Sequence, residues 1–121
     1  MIPTHGLSHV ALAVRDPDRS LAFYRAVFGV KEYFRDATTI QVKGPGPNDV
    51  LAFERRPEAA GGKGGILHFG FRLTDPAAIG AAVEAVVAAG GTIKSQGEFV
   101  PGCPYAFALD PDGYEIEIWF E

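Results

Sequence analysis

Two stretches of the sequence decide the fold. They are Leu7-Ser8-His9-Val10-Ala11-Leu12-Ala13-Val14 and, 59 residues later, Ile66-Leu67-His68-Phe69-Gly70-Phe71-Arg72-Leu73. Both alternate with period 2 and are rich in branched or aromatic residues, which is typical of a half-buried strand. Asp16-Pro17 and Asp75-Pro76 follow them, and each pair favours a helix start, because aspartate caps the first turn and proline needs no donor there. The sequence therefore predicts an internal repeat.

Three strand-like stretches follow each predicted helix. In the first half they are Lys31–Arg35, Thr38–Lys43 and Val50–Arg55, and in the second half Thr92–Ser95, Tyr105–Leu109 and Glu115–Phe120. The sequence thus predicts an α+β fold of two βαβββ modules. Module 1 covers about residues 5–58, a glycine-rich connector about 59–65, and module 2 about 66–121. We expect residues 1–121 to form a single domain, because about 60 residues is marginal for folding alone.

Composition narrows the classes of partner. Eleven basic residues against fifteen acidic ones give a net charge of −4, which argues against nucleic acid or an anionic membrane as the main partner. The single cysteine, Cys103, cannot form an internal disulfide. No apolar run approaches the roughly 20 residues that span a bilayer, and the N-terminus lacks the pattern of a signal peptide. We expect a cytoplasmic protein.

The strand faces indicate a pocket with metal-binding groups. Alternation places His9 and His68 on strand faces that otherwise carry mainly small residues, opposite the aliphatic and phenylalanine faces. On the last strand Glu115 and Glu117 share one face and are equally available. A lone strand histidine is usually an ordinary core or surface residue, but two at equivalent repeat positions favour ligands. Two imidazoles and one carboxylate suit divalent Fe, Mn, Ni, Co or Zn.

The segment Asp110-Pro111-Asp112-Gly113-Tyr114-Glu115-Ile116-Glu117-Ile118, together with the two histidine strands, resembles the vicinal oxygen chelate superfamily. This is the glyoxalase, bleomycin-resistance and extradiol-dioxygenase group. The resemblance covers essentially the whole chain. It implies an incompletely closed, eight-stranded, barrel-like sheet with the helices outside, a metal inside and a homodimer.

The resemblance also implies a site. Its metal positions fall on His9, His68 and Glu117, which favours Glu117 over Glu115. A divalent metal ion would bind a small oxygen-rich substrate through adjacent oxygens and act as a Lewis acid. The resemblance therefore favours a metal-dependent enzyme of lyase, isomerase or dioxygenase type. A non-catalytic protein that sequesters a small molecule, of the bleomycin-resistance type, is the alternative.

Departures from the family pattern bear on the reaction. Glyoxalase I uses a fourth acidic residue from the first module, and Ala52 falls at that position here. Glyoxalase I chemistry is therefore disfavoured unless Glu54, two residues along the strand, supplies the carboxylate. Extradiol dioxygenases and fosfomycin-resistance transferases place a tyrosine where this chain has Phe107. Tyr105, two residues earlier, is the candidate to replace it.

Further residues on these faces are candidates for substrate contact. Arg72 shares a face with His68 and suits a substrate carboxylate or a salt bridge. Phe107 and Trp119 suit an apolar pocket wall. Tyr105 and Glu54 are the candidate catalytic residues.

Overall fold

The computed structural model describes residues 1–121 as two compact units, Met1–Ala60 and Gly61–Glu121. Each unit runs strand, helix, strand, strand, strand. This confirms the predicted α+β fold with two βαβββ modules.

The first unit contains β1 (His9–Val14), α1 (Pro17–Phe28), β2 (Lys31–Arg35), β3 (Thr39–Lys43) and β4 (Val50–Arg55). The second contains β5 (Phe69–Arg72), α2 (Ile79–Ala88), β6 (Thr92–Glu98), β7 (Pro104–Leu109) and β8 (Glu115–Trp119). Short 3-10 turns lie at Pro57–Ala59 and Pro76–Ala78. Neither helix is long and apolar enough to cross a membrane.

Each unit has one four-stranded sheet, and the two sheets have the same topology. The strand orders are β1-β4-β3-β2 and β5-β8-β7-β6. The first strand of each unit runs parallel to the last (β1 to β4, β5 to β8), and the other neighbours are antiparallel. The repeat in the sequence is therefore a repeat of topology, and it brings the first and last strands of each module side by side.

The first helix forms as its sequence predicts. The Asp16 carboxylate accepts hydrogen bonds from the backbone N–H groups of Asp18 (3.0 Å) and Arg19 (3.3 Å), which caps the helix. Within the helix, the buried Tyr24 ring stacks on the Phe53 ring of β4 with the centroids 5.2 Å apart. This contact shows that the Phe53 face of the sheet packs against α1.

Most boundaries agree with the prediction to within two residues, and three differ by more. The helix expected at Asp75-Pro76 starts at Ile79, because the N–H of Ile79 bonds to the carbonyl of Pro76 and tightens the first turn into a 3-10 turn. The strand predicted over residues 66–73 is confined to Phe69–Arg72. By contrast β6 continues to Glu98, because pairing with β7 and a register shift between Ile93 and Ser95 carry it beyond the predicted end.

In the sheet of unit 2, one face is buried and the other is open. In β8, Ile116 and Ile118 are fully buried, whereas the alternating residues are half-buried. We call the face opposite Ile116 and Ile118 the open face of unit 2. By strand alternation it carries Gly70, Arg72, Tyr105, Phe107, Glu115, Glu117 and Trp119.

Candidate metal centre

A histidine and a carboxylate meet on the open face of unit 2. His68 Nε2 lies 3.2 Å from Glu117 Oε2, and both side chains keep some exposure to solvent, 32% and 19% respectively. His68 directly precedes β5, and Glu117 lies in the adjacent β8 opposite Gly70. The structure therefore brings together two of the three residues that the resemblance assigns to the metal.

The turn before β8 fixes where Glu117 lies. The N–H of Gly113 donates to the carbonyl of Asp110 (3.0 Å), as expected for the predicted turn. The Asp110 carboxylate also accepts from the N–H groups of Asp112 (2.9 Å) and Tyr114 (3.0 Å). These hydrogen bonds hold the turn and set the start of β8, and therefore its register.

A second carboxylate lies on the other side of the His68 ring. Glu115 Oε2 is 3.7 Å from His68 Nδ1. Lys94 Nζ lies 2.5 Å from the other oxygen of Glu115, and Lys63 Nζ lies 4.0 Å from it. The hydrogen bond from Lys94 lowers the pKa of Glu115 below its ordinary value, against the opposing effect of burial. Glu115 is therefore paired with lysines, whereas Glu117 lies against the other nitrogen of the His68 ring.

His9 occupies the matching place in unit 1. It begins β1 beside Val50 of β4. Its Nδ1 lies 2.9 Å from the Ser8 hydroxyl. When a neutral imidazole donates from Nδ1 to such a hydroxyl, its Nε2 carries a free lone pair. This is the tautomer that can bind a metal through Nε2.

The strand register shows which residue of the first module corresponds to Glu117. Gly70 pairs with Glu117 in unit 2, and the repeat spacing of 59 relates Gly70 to Ala11. Ala11 pairs with Ala52. Ala52 is therefore the counterpart of Glu117 in the strand register, as the sequence suggested, and no carboxylate stands there.

Glu54 has a different counterpart and a partner of its own. It pairs with Ala13, the counterpart of Arg72, and so matches Trp119 in the register. Its Oε1 lies 3.7 Å from the Arg56 guanidinium. The ion pair gives Glu54 a role in the surface of unit 1 that needs no metal.

The absence of a side chain at residue 70 makes room for the site. A Cβ at Gly70 would lie 3.3 Å from Trp119 Nε1 and 3.5 Å from Glu117 Oε2. Both groups therefore lie over the glycine at close van der Waals distance. Trp119 therefore lies next to Glu117.

The predicted aromatic residues form a row along β7. The Phe107 ring lies 5.2 Å from the His68 ring, between centroids. The Tyr105 ring stacks on Phe99 at 4.4 Å, and a Cβ at Gly97 would lie 3.1 Å from the Tyr105 hydroxyl oxygen. Phe107 thus packs beside the His68 ring, whereas Tyr105 is held over β6.

Arg72 contacts the Trp119 ring and the backbone of Glu121 at the end of the sheet. Its guanidinium lies over the Trp119 ring, 5.6 Å from the centroid, and donates to the backbone carbonyl of Glu121. These contacts fix Trp119 and the C-terminal residue.

The donor pair in unit 2 fits a divalent ion. Two adjacent ligands bonded at about 2.1 Å lie roughly 3.0–3.4 Å apart, and the His68–Glu117 separation of 3.2 Å falls in that range. A carboxylate beside the other ring nitrogen, here Glu115, is the usual companion of a metal-bound histidine. Neither unit by itself gathers three histidine, cysteine, aspartate or glutamate side chains in a metal-binding group.

Two cavities flank the pair, each of about 380 Å3. One, the apolar cavity, is lined by Phe99, Val100, Cys103, Glu117, Trp119, Phe120 and Glu121. The other, the lysine cavity, is lined by Lys63, Leu67, His68, Lys94, Ser95, Phe107 and Glu115. The sequence alone did not indicate that Phe99 and Val100 line a cavity or that lysines surround Glu115, because no local pattern marks these contacts.

Comparison with known proteins identifies the family. Residues 6–118 match the family model described as Glyoxalase/Bleomycin resistance protein/Dioxygenase superfamily. No curated protein matches the chain.

Solved structures share the fold over nearly the whole chain. A glyoxalase/bleomycin resistance protein/dioxygenase family enzyme from Burkholderia phytofirmans PsJN is 25% identical, with a TM-score of 0.78 over 93% of this chain and 96% of that one. Lactoylglutathione lyase from Agrobacterium tumefaciens is 21% identical (TM-score 0.72, 98% and 96% covered). Fosfomycin resistance protein FosX from Mesorhizobium loti is 18% identical (TM-score 0.80, 98% and 94% covered).

Proposed function

Because the chain belongs to the glyoxalase/bleomycin resistance protein/dioxygenase superfamily, we propose that it is a metal-dependent enzyme acting on a small oxygen-rich molecule. A divalent ion, Fe, Mn, Ni, Co or Zn, is held by His9, His68 and Glu117. The substrate binds it through adjacent oxygens, and the reaction is of lyase, isomerase or dioxygenase type. The observation that carries the proposal is the 3.2 Å approach of His68 Nε2 to Glu117 Oε2 on an open face.

The residues around the pair have distinct roles in this proposal. The ion supplies Lewis-acid chemistry when bound. Glu115 lies against Nδ1 of His68 and favours the ring orientation in which Nε2 faces Glu117. The Phe107 ring packs beside His68 and limits the access of water to it. Tyr105 and Trp119 face each other across β7 and β8 and supply hydroxyl and indole groups for substrate contact.

A second candidate follows from Ala52. In the strand register this alanine replaces a second carboxylate, so the first module offers no base for proton transfer at that position. The absence of that base favours a protein that binds and sequesters its ligand without turnover. A glyoxalase I-like reaction needs Glu54 to leave Arg56 and act as the fourth ligand.

For each of these functions the proposal includes a homodimer. Light scattering after size-exclusion chromatography measures the mass of the assembly and so tests this part of the proposal.

Metal titration tests the proposal. Wild-type protein freed of metal is titrated with Fe, Mn, Co, Ni and Zn by calorimetry, beside the variants His9→Ala, His68→Ala and Glu117→Ala. We expect one ion per site in the wild type and an affinity loss of at least about 100-fold in each variant, because even outer partners of metal ligands are worth 10–100-fold. His5→Ala, which removes the remaining histidine, is the matched control and should leave the affinity unchanged. Failure of the wild type to bind any of the five ions would contradict the proposal.

A further inference from the structure

The apolar cavity adjoins the metal pair through one residue. Glu117, which faces His68 at 3.2 Å, also lines the cavity. A molecule bound by its oxygens at this pair therefore has the cavity next to it. Since the cavity measures about 380 Å3, it has room for a ring-sized group.

The walls of this cavity are apolar, and no cation lines them. Phe99, Val100, Trp119 and Phe120 form most of the lining, and the charged groups there are the carboxylates of Glu117 and Glu121. The two lysines near His68 line the lysine cavity instead. An anionic group is therefore disfavoured in the apolar cavity, whereas burial of an uncharged apolar group is favourable.

The loop that forms one wall is already ordered. The N–H of Phe99 donates to the carbonyl of Cys103 (3.1 Å), and the N–H of Cys103 donates to the carbonyl of Val100 (2.9 Å). The Glu98 carboxylate accepts from the N–H of Gly102 (3.1 Å). Phe99 and Val100 nevertheless remain 53% and 58% exposed. A wall held in place with exposed apolar side chains suits a ligand, because little ordering is needed on binding.

We propose that the apolar cavity receives an uncharged, ring-sized apolar group of the molecule that binds through its oxygens at the His68–Glu117 pair. This inference rests on the proposed function and adds the substrate class to it: an oxygen chelator that carries an aromatic or compact aliphatic group. Val100 then determines specificity for the apolar group, since it lines the cavity and its aliphatic side chain cannot bind the metal.

Two hydroxamic acids test the inference, because both chelate metals through two oxygens and differ only in their apolar group. Benzohydroxamic and acetohydroxamic acid are titrated into protein loaded with the divalent ion that the wild type binds. The ratio of their affinities for the free ion, measured without protein, is the reference ratio. We expect the ratio of affinities for the metal-loaded wild type, benzohydroxamic over acetohydroxamic acid, to exceed the reference ratio at least about ten-fold, because the phenyl group buries more apolar area.

Two matched variants locate the preference. Val100→Asp places a charge in the cavity wall and should reduce the preference to about two-fold or less. Val87→Asp is the control: Val87 is also 58% exposed but lies on α2 outside the cavity, so the preference should persist. Equal binding of the two acids by the wild type, or an unchanged preference in Val100→Asp, overturns the inference while leaving the metal site intact. Loss of metal binding itself would instead overturn the proposed function, and the inference with it.

Cys103 provides a readout that does not depend on activity. It is the single cysteine and lines the cavity. We expect benzohydroxamic acid, at saturation, to slow its alkylation by N-ethylmaleimide at least about five-fold more than acetohydroxamic acid does. If Cys103 is unreactive in the free protein and becomes reactive only when dilution dissociates a dimer, a second copy of the chain covers the cavity and the inference is wrong.

Discussion

The Nε2 atom of His68 lies 3.2 Å from Oε2 of Glu117, although the two residues are separated by most of the second module along the chain. The approach depends on the parallel pairing of β5 with β8, which sets Gly70 beside Glu117 and His68 just beyond the paired strands. Gly70 has no side chain beside the pair, and a Cβ added to it would lie 3.3 Å from Trp119 Nε1 and 3.5 Å from Glu117 Oε2.

Gly70→Ala should weaken metal binding while the fold persists. The added Cβ would lie 3.3 Å from Trp119 Nε1, so the indole must shift by a few tenths of an ångström, and 3.5 Å from Glu117 Oε2, which is an ordinary van der Waals contact. Because the new methyl group limits the movement of Glu117 towards an ion, and metal ligation is sensitive to small displacements, we expect a loss in metal affinity of at most about ten-fold. Calorimetric titration measures it.

Gly80→Ala is the matched control. A Cβ at Gly80 meets nothing within 4 Å, and the residue lies in α2. Alanine there should raise the free energy of unfolding by about 0.5–1 kcal/mol through lower backbone entropy in the unfolded chain, and should leave the metal affinity unchanged. Equal metal affinity in Gly70→Ala and the wild type would show that Gly70 does not set the position of Glu117.

The local patterns of the sequence were sufficient to predict part of this arrangement. Alternation along a strand is a property of neighbouring residues, so the common face of Glu115, Glu117 and Trp119 followed directly. The repeat likewise predicted the shared topology of the modules and the equivalence of His9 and His68. The resemblance placed Ala52 at the position equivalent to Glu117, and the strand register agrees, because Ala11 pairs with Ala52 as Gly70 pairs with Glu117.

Long-range pairing explains what the sequence did not predict. The end of β6 at Glu98 depends on its register with β7 and on the shift between Ile93 and Ser95, neither of which has a local pattern. Lys94 reaches Glu115 although β7 lies between their strands. No spacing in the sequence indicates a contact across an intervening strand, so the lysines around Glu115 became visible only in the structure.

Lys94→Met should destabilise the protein by about 1 kcal/mol, because it leaves the largely buried Glu115 carboxylate without its closest partner. Lys94 Nζ is 2.5 Å from Glu115 Oε1, and the Glu115 side chain is 10% exposed. Lys63→Met is the graded control: its ammonium is 4.0 Å away, so we expect a loss below about 0.5 kcal/mol. Urea denaturation gives both values, and equal losses for the two variants would contradict the assignment of Lys94 as the main partner.

Asp36 should make the protein less stable in acid. The N–H groups of Thr38 (2.9 Å) and Thr39 (2.8 Å) donate to its carboxylate and lower its pKa below the ordinary value. A group with a lowered folded-state pKa stabilises the protein above its unfolded pKa, and this contribution is lost as the pH falls through the folded value. Urea midpoints of the wild type should therefore exceed those of Asp36→Asn at pH 7, and the difference should shrink as the pH falls below the ordinary aspartate pKa of about 3.9. A difference that does not shrink on further acidification below that pH would refute the effect.

Glu54→Ala decides whether the first module supplies a metal ligand. Glu54 matches Trp119 rather than Glu117 in the register, and its Oε1 lies 3.7 Å from Arg56. The ion pair is exposed at the surface, so its loss should cost less than about 0.5 kcal/mol of stability. If Glu54 plays no part in the site, the metal affinity of Glu54→Ala should stay within about two-fold of the wild type. If Glu54 is a ligand, its removal should lower the metal affinity at least about 100-fold.

Arg56→Ala is the matched control, because it breaks the same ion pair and leaves the carboxylate in place. A large loss of metal affinity in Glu54→Ala but not in Arg56→Ala would identify Glu54 as the fourth ligand and favour glyoxalase I-like chemistry over the reaction types proposed for a three-ligand site.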